Sequence, residues 1–81
     1  MKVTVKLFAS FKEASGAPQS VLEVAPGTTV GGVWQTLLGE YPRLVPLGHS
    51  VGMAVNGKYT QPEVAVSDGD VVAFLPPVSG G

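Results

Sequence analysis

The chain has 81 residues, 44% of them hydrophobic and 14% charged, with a formal net charge of -1. That is enough for one apolar core, too short for two, and unlike a disordered composition. The near-neutral balance provides no basic field for nucleic acid and no polybasic patch for an anionic membrane, and no apolar run approaches the roughly 20 residues of a membrane span.

Residues 2–8 alternate strictly. Val3, Val5 and Leu7 share one face, while Lys2, Thr4, Lys6 and Phe8 share the other, which predicts a strand with one buried side. Residues 10–15 have room for one or two helical turns before Gly16 and Pro18. A second strand is expected over 20–24, closed by Pro26-Gly27. Thr29 is a candidate N-cap for a helix whose apolar positions are Val30, Val33, Trp34, Leu37, Leu38 and Tyr41. Gly31, Gly32 and Gly39 each weaken that helix by up to about 1 kcal/mol relative to alanine, and Pro42 ends it. Residues 43–50 read as a loop. A short strand over 51–55, an Asn56-Gly57 turn and a return over 58–60 make a hairpin.

Residues 61–66 read as irregular and Ser67-Asp68-Gly69-Asp70 as a turn. Residues 71–75 form the most apolar strand, expected at the centre of the sheet. Pro76-Pro77 stops its ladder. Residues 78–81 are expected to leave the domain as a flexible tail, so the chain divides into a domain over 1–77 and a tail over 78–81. The order predicts an α+β fold, with one main helix on one face of a mixed sheet of four to five strands.

Ordinary catalytic sets do not assemble. His49 is the one histidine and reads as an exposed loop residue. Nothing places a Ser-His-Asp set. Asp68 and Asp70 read as turn formers and are too few for a calcium loop. Gly31-Gly32 lacks the fuller glycine pattern of a phosphate loop. Cysteine is absent, which removes disulfides, thiolate metal sites and cysteine nucleophiles. No metal or cofactor is expected to be bound by the chain itself. Residues 1–4 alternate unlike a signal peptide, and a soluble cytoplasmic protein is expected.

The C-terminus carries the chemistry. A terminal Gly80-Gly81 arises by chance in roughly one chain in two hundred, so the pair alone is weak. Its context is sharper: a strand ends in Pro76-Pro77, and a tail without bulky groups follows. Such a tail fits a narrow channel, since glycine adds no Cβ and accepts backbone angles barred to other residues. The only reactive group at its tip is the α-carboxylate of Gly81. Adenylation gives that carboxylate a good leaving group, and a sulfur nucleophile displacing AMP leaves a thiocarboxylate.

The segment Asp68-Gly69-Asp70-Val71-Val72-Ala73-Phe74-Leu75-Pro76-Pro77-Val78-Ser79-Gly80-Gly81 resembles the C-terminal signature of molybdopterin synthase small subunits, ubiquitin-like sulfur carriers of the β-grasp fold. So do Val5-Lys6-Leu7-Phe8-Ala9 with Phe11-Lys12-Glu13, the helix after Gly27-Thr28-Thr29, and Ala54-Val55-Asn56-Gly57. The likeness spans essentially the whole chain. Lys12 stands where that family often has arginine, and lysine does not reproduce a bidentate guanidinium contact.

The resemblance implies that an E1-like enzyme uses ATP to activate Gly81. The thiocarboxylate then enters the large synthase subunit and passes sulfur to cyclic pyranopterin monophosphate, building the dithiolene of molybdopterin. It also implies a heterotetramer, with two carriers at the ends of a large-subunit dimer. Carriage of sulfur to thiamine thiazole or tRNA, and ubiquitin-like modification of lysines, are the alternatives. The partner-docking face is expected to hold Phe8, Tyr59, Leu75, Pro76, Pro77 and Val78. Alternation alone does not choose between Phe74 and Leu75 as the outward residue. If Val72 and Phe74 face the helix, Leu75 points to the partner.

Overall fold

The computed structural model describes residues 1–48 and 50–77. His49 and the tail residues Val78, Ser79, Gly80 and Gly81, on which the carboxylate chemistry was expected, lie outside the described residues. Strand β1 (Lys2–Leu7) leads into a short helix α1 (Ala9–Ser15) and strand β2 (Gln19–Glu23). Helix α2 (Val30–Glu40) follows, then a 3-10 helix (Pro42–Leu47). The chain closes with β3 (Gly52–Val55), β4 (Lys58–Tyr59) and β5 (Val71–Leu75).

The five strands form one sheet in the order β2-β1-β5-β3-β4. β1 and β5 run parallel, with Val5 opposite Val72 and Leu7 opposite Phe74; the other pairings are antiparallel. β5 is therefore central, as its apolar run predicts. Val3, Val5, Leu7, Leu22, Val72 and Phe74 turn to one face and are buried with Val30, Val33, Trp34 and Leu37 of α2. This is the α+β arrangement that the element order predicts and the β-grasp fold that the resemblance implies.

Trp34 sits at the middle of the core. Its ring centroid lies 5.1 Å from that of Phe11 and 5.0 Å from that of Phe74, both pairs tilted by about 40°, which is a favourable aromatic geometry. Phe11 is the single buried residue of α1, so the short helix is held down by one ring. Gly16 ends it in the left-handed region, at φ 73, and donates its backbone N–H to Lys12 O at 3.0 Å.

Thr29 caps α2 as expected, its Oγ1 accepting from Gly32 N at 3.0 Å. Gly31 has a reason that its helix propensity hides. A Cβ there would stand 3.1 Å from Pro62 Cβ and 3.2 Å from Pro62 O. The bare backbone lets segment 61–66 approach, with Gly31 N donating to Pro62 O and Val30 N to Val64 O, both at 2.9 Å.

One expectation needs correction. Residues 43–50 are not simply a loop, since Pro42–Leu47 winds as a 3-10 helix. Pro42 at its start has no N–H to leave unpaired, and fully buried Leu44 anchors it to the core. Residues 61–66 are irregular, as expected, and their end packs into the core. Val66 is buried, and its N–H donates to Thr28 O at 2.9 Å.

Candidate functional site at the end of the central strand

The last strand decides what its C-terminal end presents. Val72 and Phe74 are fully buried toward α2. Successive side chains of a strand point to opposite faces, so Val71, Ala73 and Leu75 lie on the other side of the sheet. Leu75 is half-buried, Pro76 half-buried and Pro77 exposed. Phe74 is thereby removed from any docking surface.

Register brings the other expected residues to the same place. Leu75 pairs with Gly52 of β3, and Ala54 of β3 pairs with Tyr59. A Cβ on Gly52 would lie 3.7 Å from Leu75 Cβ and 3.9 Å from Tyr59 Cε1, so the two side chains flank one bare position. Tyr59 is 79% exposed and Phe8 44%. Phe8 follows Leu7, the register partner of Phe74, and so stands level with Leu75. Gly52, Ala54 and Ala73 form a low floor between these larger groups. Lys6, paired with Ala73, brings an exposed positive charge to the same face. Apolar side chains exposed together in this way commonly mark contact surfaces. Val78, Gly80 and Gly81 continue the chain from this patch outside the described residues.

The remaining candidates have structural roles. Asp68 Oδ1 accepts from Lys2 N at 2.7 Å. Asp70 accepts from Ser67 N at 2.7 Å and from Asn56 Nδ2 at 3.0 Å. Both are turn formers, as the sequence predicts. The first-turn N–H groups of α2 are taken: Gly31 N by Pro62 O, Gly32 N by Thr29 Oγ1 and Val33 N by Thr29 O. No phosphate nest is left there. Among the described residues, no group of three histidine, cysteine, aspartate or glutamate side chains is placed to hold a metal, and no helix is long and apolar enough to cross a membrane. A shallow cavity of about 290 Å³ between the ends of α1 and α2, lined by Glu13, Glu40, Tyr41 and Arg43 among others, shares no residue with the Leu75 patch. No motif in the sequence marks it.

The ThiS family model matches residues 5–81. The chain belongs to the ThiS family. A molybdopterin synthase sulfur carrier subunit from Mycobacterium tuberculosis is 40% identical over 82 residues, covering 100% of this chain and 99% of the relative. One from Arabidopsis thaliana is 32% identical and covers 100% and 84%. Among solved structures, SAMP1 from Haloferax volcanii superposes with a TM-score of 0.89 at 29% identity, covering 100% of both chains. Family membership agrees with the resemblance carried by the tail signature, and the likeness extends through the β-grasp domain that presents it.

Proposed function

We propose that this chain is the sulfur carrier subunit of molybdopterin synthase, with the carboxyl group of Gly81 as its working group. One observation carries the reading. The chain is similar over its whole length to curated relatives of that name, and in its sequence the central strand is followed by Pro76-Pro77 and then Gly80-Gly81. The chemistry suits a chain without cysteine, since sulfur held at a terminal carboxyl needs no side-chain thiol.

An E1-like partner brings ATP. The Gly81 carboxylate attacks the α-phosphorus, pyrophosphate leaves, and a sulfur nucleophile supplied by the partner system displaces AMP. The thiocarboxylate sulfur then attacks a side-chain carbon of cyclic pyranopterin monophosphate in the large subunit and displaces an oxygen substituent, and water cleaves the resulting thioester, leaving the sulfur on the pterin and a carboxylate on Gly81. The carrier binds no cofactor in this scheme. Its domain, residues 1–77, docks through Phe8, Tyr59, Leu75, Pro76 and Pro77, Val78 adds to that contact at the start of the tail, and residues 78–81 reach the pocket. Two carriers at the ends of a large-subunit dimer, in the cytoplasm, complete the assembly.

A second reading has a specific observation behind it. The SAMP1 structure matched above is described elsewhere among its solved forms as a small archaeal modifier protein. Both readings pass through the same adenylate and differ in the acceptor, a lysine amine or a sulfur donor. Delivery to thiazole or tRNA shares the thiocarboxylate and differs only downstream.

The test mixes purified thiocarboxylated protein with the pterin precursor, with and without the large subunit. Molybdopterin forms only in the complete mixture, with one sulfur consumed per carrier. Equal product from the carboxylate form, or sulfur passing only to a thiazole or tRNA enzyme, overturns the reading.

A further inference from the structure

The Asn56-Gly57 turn joins β3 to β4, and both residues are exposed. Their φ angles are 51 and 85, the left-handed pair that a tight hairpin demands. The same dipeptide is chemically labile. Glycine has no side chain to shield its backbone nitrogen, so that nitrogen can attack the preceding carboxamide.

We propose that Asn56 is a deamidation site whose rate is set by its clamp to Asp70, and that its product loosens the join between the β3–β4 hairpin and the turn leading into β5. In the reaction the Gly57 nitrogen bonds to Asn56 Cγ. The Cγ–Nδ2 bond breaks, and Nδ2 leaves as ammonia with the Gly57 amide proton. The succinimide then takes up one water. Opening at Cγ gives aspartate, and opening at the backbone carbonyl gives isoaspartate. No oxidant or cofactor enters.

The fold opposes this at three atoms. Asn56 Nδ2 donates to Asp70 Oδ1 at 3.0 Å, Asn56 Oδ1 accepts from Val71 N at 2.9 Å, and Asn56 N donates to Val71 O at 2.8 Å. Ring closure turns the Nδ2 donor into a leaving group, so it must surrender a hydrogen bond to a carboxylate, one of the stronger kinds. Once formed, the product puts a second carboxylate against Asp70. Asp70 also holds Ser67 N at 2.7 Å, so the repulsion falls on the residue that organises the turn before β5. Under the plainer alternative the dipeptide is a hairpin turn and nothing more, and its rate follows exposure alone.

The full chain is incubated at mildly alkaline pH, and deamidation at Asn56 is followed by peptide mapping and mass spectrometry. Native protein is compared with protein in urea, with Asp70→Ala and with Asp68→Ala. Asp68 bonds Lys2 N in the same turn and has no bond to Asn56. Native protein reacts slower than protein in urea by roughly tenfold or more, the effect of one charge-assisted hydrogen bond. Asp70→Ala removes most of that protection, and Asp68→Ala leaves it in place. The proposal is overturned by equal rates in native and unfolded protein, by Asp70→Ala reacting no faster than native protein, or by Asp68→Ala reacting as fast as Asp70→Ala. Asn56→Asp, which installs one product directly, lowers Tm by roughly 4–8 °C, as the loss of one such contact does in a domain of this size. An unchanged Tm overturns the second half. Should Asp70→Ala fail to fold, the native-to-urea comparison and the Asn56→Asp measurement still decide.

Discussion

Phe74 and Leu75 are neighbours in the chain with opposite fates, and replacing each in turn separates folding from docking. Phe74 is 0% exposed, and its ring centroid lies 5.0 Å from that of Trp34. Phe74→Ala removes a buried ring and one of Trp34's two aromatic partners, costing about 3–5 kcal/mol. A chain of this length has a total stability of about 4–12 kcal/mol. The substitution therefore takes a large share of it, and Tm should fall by about 20 °C at roughly 4–8 °C per kcal/mol. Leu75 is half-buried on the other face. Leu75→Glu should cost about 1 kcal/mol or less in stability. As an anchor beside Tyr59 it should cost about 2 kcal/mol in binding to the large subunit, roughly a thirtyfold rise in Kd. Thermal unfolding followed by Trp34 fluorescence reports the first quantity, and titration with the large subunit reports the second. If Leu75→Glu unfolds the protein, or Phe74→Ala weakens binding while leaving Tm in place, the assignment of faces is wrong.

Deleting Gly81, or adding one residue after it, should abolish sulfur delivery with Tm unchanged. Retained activity in an extended protein shown by mass spectrometry to be untrimmed would contradict the role given to that carboxylate. Thr29→Ala removes the acceptor that Gly32 N uses at 3.0 Å and should cost about 1 kcal/mol, read as a shift in the denaturation midpoint. Two glycines of α2 should respond with opposite signs. Gly39 has open space where a Cβ would go, so Gly39→Ala should stabilise by about 0.5–1 kcal/mol. Gly31→Ala should destabilise by about 1 kcal/mol despite the same propensity gain, because Pro62 stands 3.1 Å from the new atom. Equal effects at the two positions, by urea denaturation, would show that segment 61–66 moves aside freely.

The features legible in the sequence are those written by local period. Alternation placed Val3, Val5 and Leu7 inside, and the 3–4 spacing placed Val30, Val33, Trp34 and Leu37 there. Thr29 was legible as a cap because its partner lies three residues on. What escaped depends on residues far apart. The 3-10 helix has Leu44 as its one buried residue, with Leu47 partly buried beside the core, and so few apolar positions among prolines have no period to detect. The need for glycine at Gly31 comes from Pro62, far away in the chain. At the candidate site, parity was legible along β5 once the buried side was assumed, and fully buried Phe74 settles which side that is. Tyr59 and Leu75 were expected on one face, but the place of Gly52 between them was not legible, because it follows from the register of β3 against two different strands.

The position of β5 has a mechanical consequence. The last strand of the described residues is bonded along both edges, to β1 over four residue pairs and to β3 over four more. A pull on the C-terminus along the strand loads both ladders in shear, so their bonds share the tension and do not open one after another, as they would at a strand peeled from an edge. Whatever grips the end of this chain, and whatever force is needed to draw it back out of a narrow passage, acts on the part of the domain best able to resist extraction.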